Sequence, residues 1–567
     1  MVDSLLSTDI YESFNLYSHP EKFFLEPTDL GGGAASKHYL EIDRHTNVMR
    51  IVDSRKQRVP IADTDIKFIY GILGTIKLVS GYALIVITKA SFIGQISNQN
   101  IWTIQDTEII PYKKTTLHLT EKQIRYNRMF TDMLTHVLSI GGFYYSTTLD
   151  ISRTFQWLQE NAVPLFKTRS MIDRASERFV WNGHLLSQIR QVPGAERYTL
   201  PVIHGFIGQN RVNGHAANFV ETEQIVEYDS PEKHVTSFVQ IRGSIPLLWA
   251  QKPNLRWQPM PTLKPTDDQL AAFVKTFSWH KQHYGGKHVI VNLVNQKGRE
   301  KKVGGELERI ARQANIDFVR YHQFDFHKEC HAMQWHRIDL LREQLSQEIS
   351  HFGYFYLSPS SIETSRFQRG FFRTNCMDCL DRTNVVQSML ARESLTEQLK
   401  MLGILYQDQK VQDVPLLEGL FKHMWADNGD ECSRQYAGTG ALKADFTRLG
   451  KRTYLGAMND GVNAVSRYVR NNFGDGYRQD AIDLFLGNFL VDSSDLPNSL
   501  ETSILSTDQN GLALIAALFA MSMTILCLLV ADNATATVFW LIIFFVCMMF
   551  IFLNGEEFVN TPKLKLD

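Results

Sequence analysis

The chain has 567 residues, 44% of them hydrophobic, 11% aromatic and 21% charged, an ordinary globular composition too long for one compact core. Its 59 basic and 60 acidic side chains leave a net charge of -1. That balance excludes an acidic tail and a broadly basic nucleic-acid-binding surface, so any anionic partner has to be handled locally. Six cysteines are too few for a disulfide scaffold at this length and point to a reducing environment, where a thiol can stay chemically active.

The N-terminal residues MVDSLLSTDIYESFNLYSHP have no basic stretch followed by an apolar core, so neither a secretory signal nor a transit peptide is expected. From Lys67 to Ser97 the chain is dense in Ile, Val and aromatic residues punctuated by Gly71, Gly74 and Gly81, a pattern of stacked strands and tight turns. Leu119 to Leu138 loosens towards a helix, and Phe143-Tyr144-Tyr145 reads as a strand. A mainly β domain over 1–165 follows. Buried-strand runs at Val289–Val294 and Phe318–Tyr321 then alternate with helical patterns at Asp267–His283 and His336–Ile349, which predicts an α/β domain over 166–490.

Residues 491–510 are rich in Ser, Asp, Asn and Thr and read as a linker. Gly511 to Ala531 carries no charge, Asp532 interrupts, and Asn533 to Leu553 carries none either. Each stretch is long enough to cross about 30 Å of hydrocarbon. The predicted membrane helices are 511–531 and 537–553, and the short turn between them makes a hairpin whose flanks share one side. Lys563 and Lys565 in the tail over 554–567 place that side in the cytosol. A flexible 20-residue linker spans roughly 25 Å, enough to reach the chain's own bilayer.

The run Arg369-Gly-Phe-Phe-Arg-Thr-Asn-Cys376-Met-Asp-Cys-Leu-Asp-Arg382-Thr383-Asn reads as a strand, a tight polar loop and a helix through Val385, Val386, Met389 and Leu390. Backbone N–H groups and a helix N-terminus converging on such a loop make an anion site. Cys376 at its start is expected to have a lowered pKa, and Arg382 to grip phosphoryl oxygens. Cys-x5-Arg alone is unspecific, and its context decides.

The full loop resembles, position by position, that of the Sac-domain phosphoinositide phosphatases. The resemblance extends to FVWNGHLL (Phe179–Leu186), NFVETEQIV (Asn218–Val226), RGSIPLLW (Arg242–Trp249), FDFHKEC (Phe324–Cys330), QYAGTGALKADFTRLGKRT (Gln435–Thr453) and DLFLGN (Asp483–Asn488). With the paired C-terminal spans, the chain is most similar to the integral-membrane branch of that family in the endoplasmic reticulum and Golgi. The resemblance implies an α/β catalytic domain with a Cys-x5-Arg phosphate loop, preceded by a mainly β N-terminal domain and followed by a two-helix transmembrane hairpin. It further implies a cofactor-free, metal-independent phosphatase acting chiefly on phosphatidylinositol 4-phosphate, with other monophosphates secondary. Cys376 would attack phosphorus to form a phosphocysteine while Arg382 and the loop amides hold the oxygens. Asp378 or Asp381 would protonate the leaving inositol oxygen, with Asp378 preferred by likeness to lipid phosphatases carrying an acid inside the loop. Thr383 would hydrogen-bond the thiolate or simply begin the helix, and Asn375, Met377, Cys379 and Leu380 would line the loop.

Other residues admit two readings. Cys376 and Cys379 form Cys-x-x-Cys, a redox pair or half a zinc site, for which Cys330 with His327 and His331 would have to complete the ligands. Cys379 otherwise packs beneath the loop or pairs with an oxidised Cys376. Asp325, His327 and Lys328 form a second catalytic group, a binding patch or a hydrogen-bonded strand end. Lys451 and Arg452 meet the headgroup or are a solvated pair. Lys563 and Lys565, at positions five and three from the end, resemble the dilysine retrieval address read by coat proteins. Asn533-Ala-Thr535 is a glycosylation sequon too close to both spans to be used.

One stretch departs from the family. Between Ile203–Phe206 and Gly214–Asn218 only Ile207–Asn213 intervenes, where Sac domains carry a longer basic segment. Its loss would leave backbone groups to be re-paired and favours a catalytically weak lipid-binding or contact-site scaffold. A protein phosphatase of the Cys-x5-Arg group is a further class, as the chemical relative of the loop.

Overall fold

The computed structural model describes residues 10–28, 38–59, 64–161, 169–209, 214–218, 221–229, 232–331, 334–358, 365–494, 509–530 and 534–564. Most of the linker, the expected boundary near residue 165, the residues Asp532 and Asn533, and the tail residue Lys565 lie outside these.

The N-terminal region is mainly β, as its residue types require. Alternating apolar positions in Phe14–Ser18, Lys22–Pro27 and His38–Asp43 form an antiparallel sheet, with Met49–Asp53 and Asp65–Ile69 at its edges. Gly71–Leu78, Gly81–Ile96 and Gln99–Pro111 then make a meander. Ser97 and Asn98, both at positive φ (51° and 62°), close its long hairpin in the manner of a two-residue turn matched to strand twist. The expected helix is Glu121–Ser139, started by a reciprocal capping box between Thr120 and Gln123. Its face Tyr126, Phe130, Met133, Leu134 and Val137 is buried against the meander.

One twelve-stranded sheet runs from that meander into the α/β region. The shortened stretch lies in its middle. Ile203–Gln209 and Gly214–Asn218 pair with each other, Gly205 opposite Asn218 and Gln209 opposite Gly214. They also pair outwards, to Phe143–Tyr145 and to Glu221–Asp229. The backbone groups bordering the gap are thus satisfied within the ladder, and the remaining residues 210–213 lie outside the described residues.

At the far end Val319–Gln323, Lys287–Asn292, Gly370–Asn375 and Lys233–Arg242 lie parallel in that order. Helices Thr266–Tyr284, Lys301–Ala314 and Asp381–Met401 cover the faces. The helix expected across His336–Ile349 is broken into Ile338–Gln344 and Ser346–Phe352 at Leu345. Parallel strands aim their C-terminal ends the same way, so the segments after residues 242, 292, 323 and 375 gather in one crevice.

Two apolar helices, Gln509–Val530 and Ala534–Leu553, pack side by side, with Phe519 edge-on to Trp540. Both are long and apolar enough to cross a membrane and are largely unburied by the rest of the chain. After them the chain returns to the α/β region. Asn560 N–H donates to Asn472 O (2.7 Å), and Lys563 and Leu564 N–H groups donate to the Asp480 carboxylate (2.9 Å).

Candidate active site

Strand Gly370–Asn375 delivers Cys376 to the crevice, and helix Asp381–Met401 leaves it, so residues 376–380 must reverse direction in a tight loop. Cys379 adopts positive φ (55°) to do so. Its N–H then points at Cys376 Sγ (3.1 Å), and Thr383 Oγ1, in the helix's first turn, lies 3.4 Å from the same sulfur. The loop carbonyls turn the other way. The guanidinium of Arg242, buried beneath, donates to the carbonyls of Cys379 and Leu380, the latter at 3.3 Å. Cys379 Sγ donates to Gly243 O (2.8 Å), which places this thiol underneath the loop.

Cys376 is wholly buried (0% exposed), against the expectation of a thiol open to substrate. Its Sγ donates to Asp378 Oδ1 (3.2 Å). Burial first, then the Cys379 contact and the Asp378 carboxylate, push the thiol well above its usual pKa, with Arg382 opposing. The expected lowering is therefore reversed in this resting arrangement, because desolvation and a carboxylate neighbour outweigh the amide and guanidinium.

Arg382 lines a cavity of about 450 Å3 together with Asp378, Leu380, Asp381, His327 and Lys443. It is clamped by Glu300 through two hydrogen bonds, 2.9 and 3.1 Å, while Glu300 also accepts from Asn295 N–H (2.7 Å). Burial works against the Arg382 charge, but Cys376, Glu300 and Asp378 more than restore it and raise its pKa. Asp381 accepts from Leu442 N–H (2.9 Å) and faces Arg467 at 3.5 Å. Burial raises its carboxyl to about 6, Arg467 opposing and Asp378 adding. His327 has its pKa lowered by burial and then by Arg382. Asp378 and Leu380 also line a second cavity, of about 550 Å3, between the N-terminal and α/β regions.

Several expected binding residues are placed elsewhere. Asn375 is buried and donates to Asn292 Oδ1 (2.7 Å), a bond that ties neighbouring strands because the two side chains share a register position. Met377 packs against the core beside helix Lys301–Ala314. Lys328 is 74% exposed on its side chain and pairs with Glu329, its neighbour in a helical turn capped by Asp325. Arg452 is held by Asp445 (2.8 Å) and Asp460 (2.6 Å), and Lys451 is exposed; neither lines a cavity beside the loop. Cys330 is buried in the core, and among the described residues no three His, Cys, Asp or Glu side chains converge as a metal set. Sequence reasoning missed Glu300 and Arg467, which no motif flagged, and Arg242 and Lys443, which lay inside quoted motifs without being singled out.

The family model described as the SacI homology domain matches residues 70–215 and 208–331. Phosphatidylinositol-3-phosphatase SAC1-B of Danio rerio is 42% identical over 592 aligned positions, covering 98% of this chain and 98% of the relative. The chain belongs to the SacI homology family. Phosphatidylinositol-3-phosphatase SAC1 of Drosophila melanogaster is 38% identical, with 99% and 98% covered, and that of Saccharomyces cerevisiae is 36% identical, with 74% of each covered. The two family matches meet in the 203–218 hairpin, where the shortening was expected. The Danio alignment has more positions than this chain's 567 residues, so that relative carries residues without a counterpart here.

Proposed function

We propose that this Sac-family chain is a phosphoinositide phosphatase that removes the phosphate of phosphatidylinositol 4-phosphate, and of other monophosphates such as the 3-phosphate, through a phosphocysteine at Cys376. What carries the reading is the loop geometry: a cysteine sulfur receiving a backbone N–H and a threonine hydroxyl, beside a cavity into which Arg382 faces. The names of the Danio, Drosophila and yeast relatives support the substrate class and the 3-phosphate in particular.

Turnover in this reading begins when phosphate enters the cavity and Cys376 passes its proton to Asp378, the carboxylate its sulfur already contacts. The thiolate then attacks phosphorus as the bond to the inositol oxygen breaks, Arg382 leaves Glu300 to hold two equatorial oxygens, and the loop amides hold the rest. Asp378, adjoining the sulfur and the cavity, protonates the departing inositol oxygen. Asp381 is the rival acid, since a carboxyl raised to about 6 is protonated more readily near neutral pH than an ordinary aspartate. Water then hydrolyses the phosphocysteine.

The two apolar helices support a hairpin anchor. Chain both before and after them is attached to the same body, which supports N- and C-termini on one side of the membrane, and Lys563 and Lys565 favour the cytosol as that side. The dilysine-like tail supports endoplasmic reticulum retention with cycling to the Golgi. Docking of the Lys563 and Leu564 amides on Asp480 means that a coat protein must peel this tail away to read it.

The sealed, protonated thiol favours a second reading, a lipid-binding scaffold with little turnover. Phosphate release from phosphatidylinositol 4-phosphate by the purified full chain decides between them. Release that disappears in Cys376→Ser supports the phosphatase, binding without release supports the scaffold, and release from a phosphotyrosine peptide alone would make it a protein phosphatase.

A further inference from the structure

Helix Tyr454–Phe473 is turned inside out. Three of its polar side chains are tied to the protein: Asp460 accepts from Arg452 (2.6 Å) and from Lys443 N–H (3.0 Å), Arg467 donates to Ser433 Oγ (2.7 Å) and Gly440 O (2.9 Å), and Asn472 accepts from Leu255 N–H (3.3 Å). Its apolar side chains face out. Leu455, Met458, Val462, Val465, Val469 and Phe473 recur at three- and four-residue spacing and are all exposed, Leu455 at 65%, Val462 at 64% and Val465 at 59%. A surface helix in water shows the reverse arrangement, and a contiguous apolar stripe of this length marks a contact surface.

What covers the stripe follows from where the helix is fastened. Tyr468 donates its hydroxyl to Leu255 O (2.6 Å) and stacks on Trp257, ring centres 5.4 Å apart. Leu255 packs against the hairpin cluster of Ala517, Ile551 and Phe558, and Trp257 shares a surface hollow with Phe552, at the end of the second apolar helix. The stripe therefore continues from the level at which the anchor leaves the bilayer. Trp257, 63% exposed, has the amphipathic ring suited to that level, and the exposed Lys451 adds positive charge just before the helix start.

We propose that the apolar face of helix Tyr454–Phe473 lies in the lipid interface of the membrane spanned by the hairpin, holding the catalytic cavity against that bilayer. The link to the site is direct: Asp460 holds the Lys443 backbone at the cavity wall, and Arg467 reaches Asp381, the first residue of the helix that follows the loop. The activity arm of the test rests on the phosphatase reading above; the labelling arm does not.

The full chain is reconstituted in vesicles of phosphatidylcholine and phosphatidylserine, with Val465→Cys carrying an environment-sensitive fluorophore and the unsubstituted chain treated identically as background. A shallow nitroxide lipid is expected to quench the Val465 probe at least threefold more than a probe at Arg309→Cys. Equal quenching at both sites overturns the proposal, as does burial of the Val465 probe by a second copy of the chain, seen as concentration-dependent cross-linking with no lipid quenching. In the second arm, Val462→Asp with Val465→Asp is expected to lower the rate on bilayer-embedded substrate about tenfold and to leave the rate on a short-chain, monomeric substrate within twofold. No change on either substrate, or equal losses on both, overturns it. Should the chain prove to lack phosphatase activity, lipid quenching still decides.

Discussion

Arg382 and Arg452 belong to two regions of the molecule that look alike on paper, since each is a basic residue beside a threonine in a family motif and each is clamped by carboxylates. Arg382 is held by Glu300 at the wall of a cavity, and its neighbour Thr383 lies 3.4 Å from a buried sulfur. Arg452 is held by Asp445 and Asp460 at the start of a helix, away from both cavities beside the loop. Carboxylate pairing does not separate a phosphate ligand from a structural brace. The separating feature is the cavity itself: Arg382 lines one together with Asp378 and Leu380 of the loop, and Arg452 lines neither of the two beside it.

The sharpest test of that contrast is the loop itself. Cys376→Ser should reduce phosphate release by at least about 10³-fold with the thermal transition unchanged, because an alcohol at this site lacks an activating base. Arg382→Lys should cost about 10²-fold in kcat, since a point charge cannot replace the two-pronged grip on equatorial oxygens. Stopped phosphate-release assays on both variants check these expectations.

A smaller effect distinguishes the two loop carboxylates. If Asp381 is the acid, it must be protonated, and its protonated fraction falls as pH rises through about 6, so kcat should drop by up to tenfold per pH unit above that value. Asp381→Asn should flatten that limb. Its survival in Asp381→Asn and its disappearance in Asp378→Asn would assign the acid to Asp378. Smallest of all, Arg452→Ala should leave kcat within threefold while lowering stability by about 1 kcal/mol, read from denaturant midpoints, as a partly exposed ion-pair network allows.

Local patterns were the legible part of this molecule. β-Branched and aromatic runs marked the meander, the apolar spacing from Leu119 to Leu138 marked a helix, and uninterrupted apolar stretches marked the two long C-terminal helices. Cysteine and arginine with five residues between them, after a strand and at the start of a helix, marked the loop for the same reason: its signal is written within a short run of chain. Illegible were contacts made across the sheet. Glu300 meets Arg382 over 82 positions of sequence and Arg242 meets the Cys379 carbonyl over 137, and no short pattern encodes either meeting. The thiol's environment belongs to this second group, because burial depends on everything packed around it.

The same division accounts for helix Tyr454–Phe473. Its three- and four-residue apolar spacing is present in the sequence by itself, as are the loop motif, the two apolar spans and the neutral overall charge, because periodicity and composition are properties of the chain. Which face of that helix turns inward is decided by tertiary structure alone. Asp460, Arg467 and Asn472 find buried polar partners on the α/β body, and the apolar stripe is left to point outwards. Whether a cysteine is open or sealed and whether an arginine serves a cavity or braces a helix were decided there too, since desolvation and charge pairing are set by neighbours that only folding supplies.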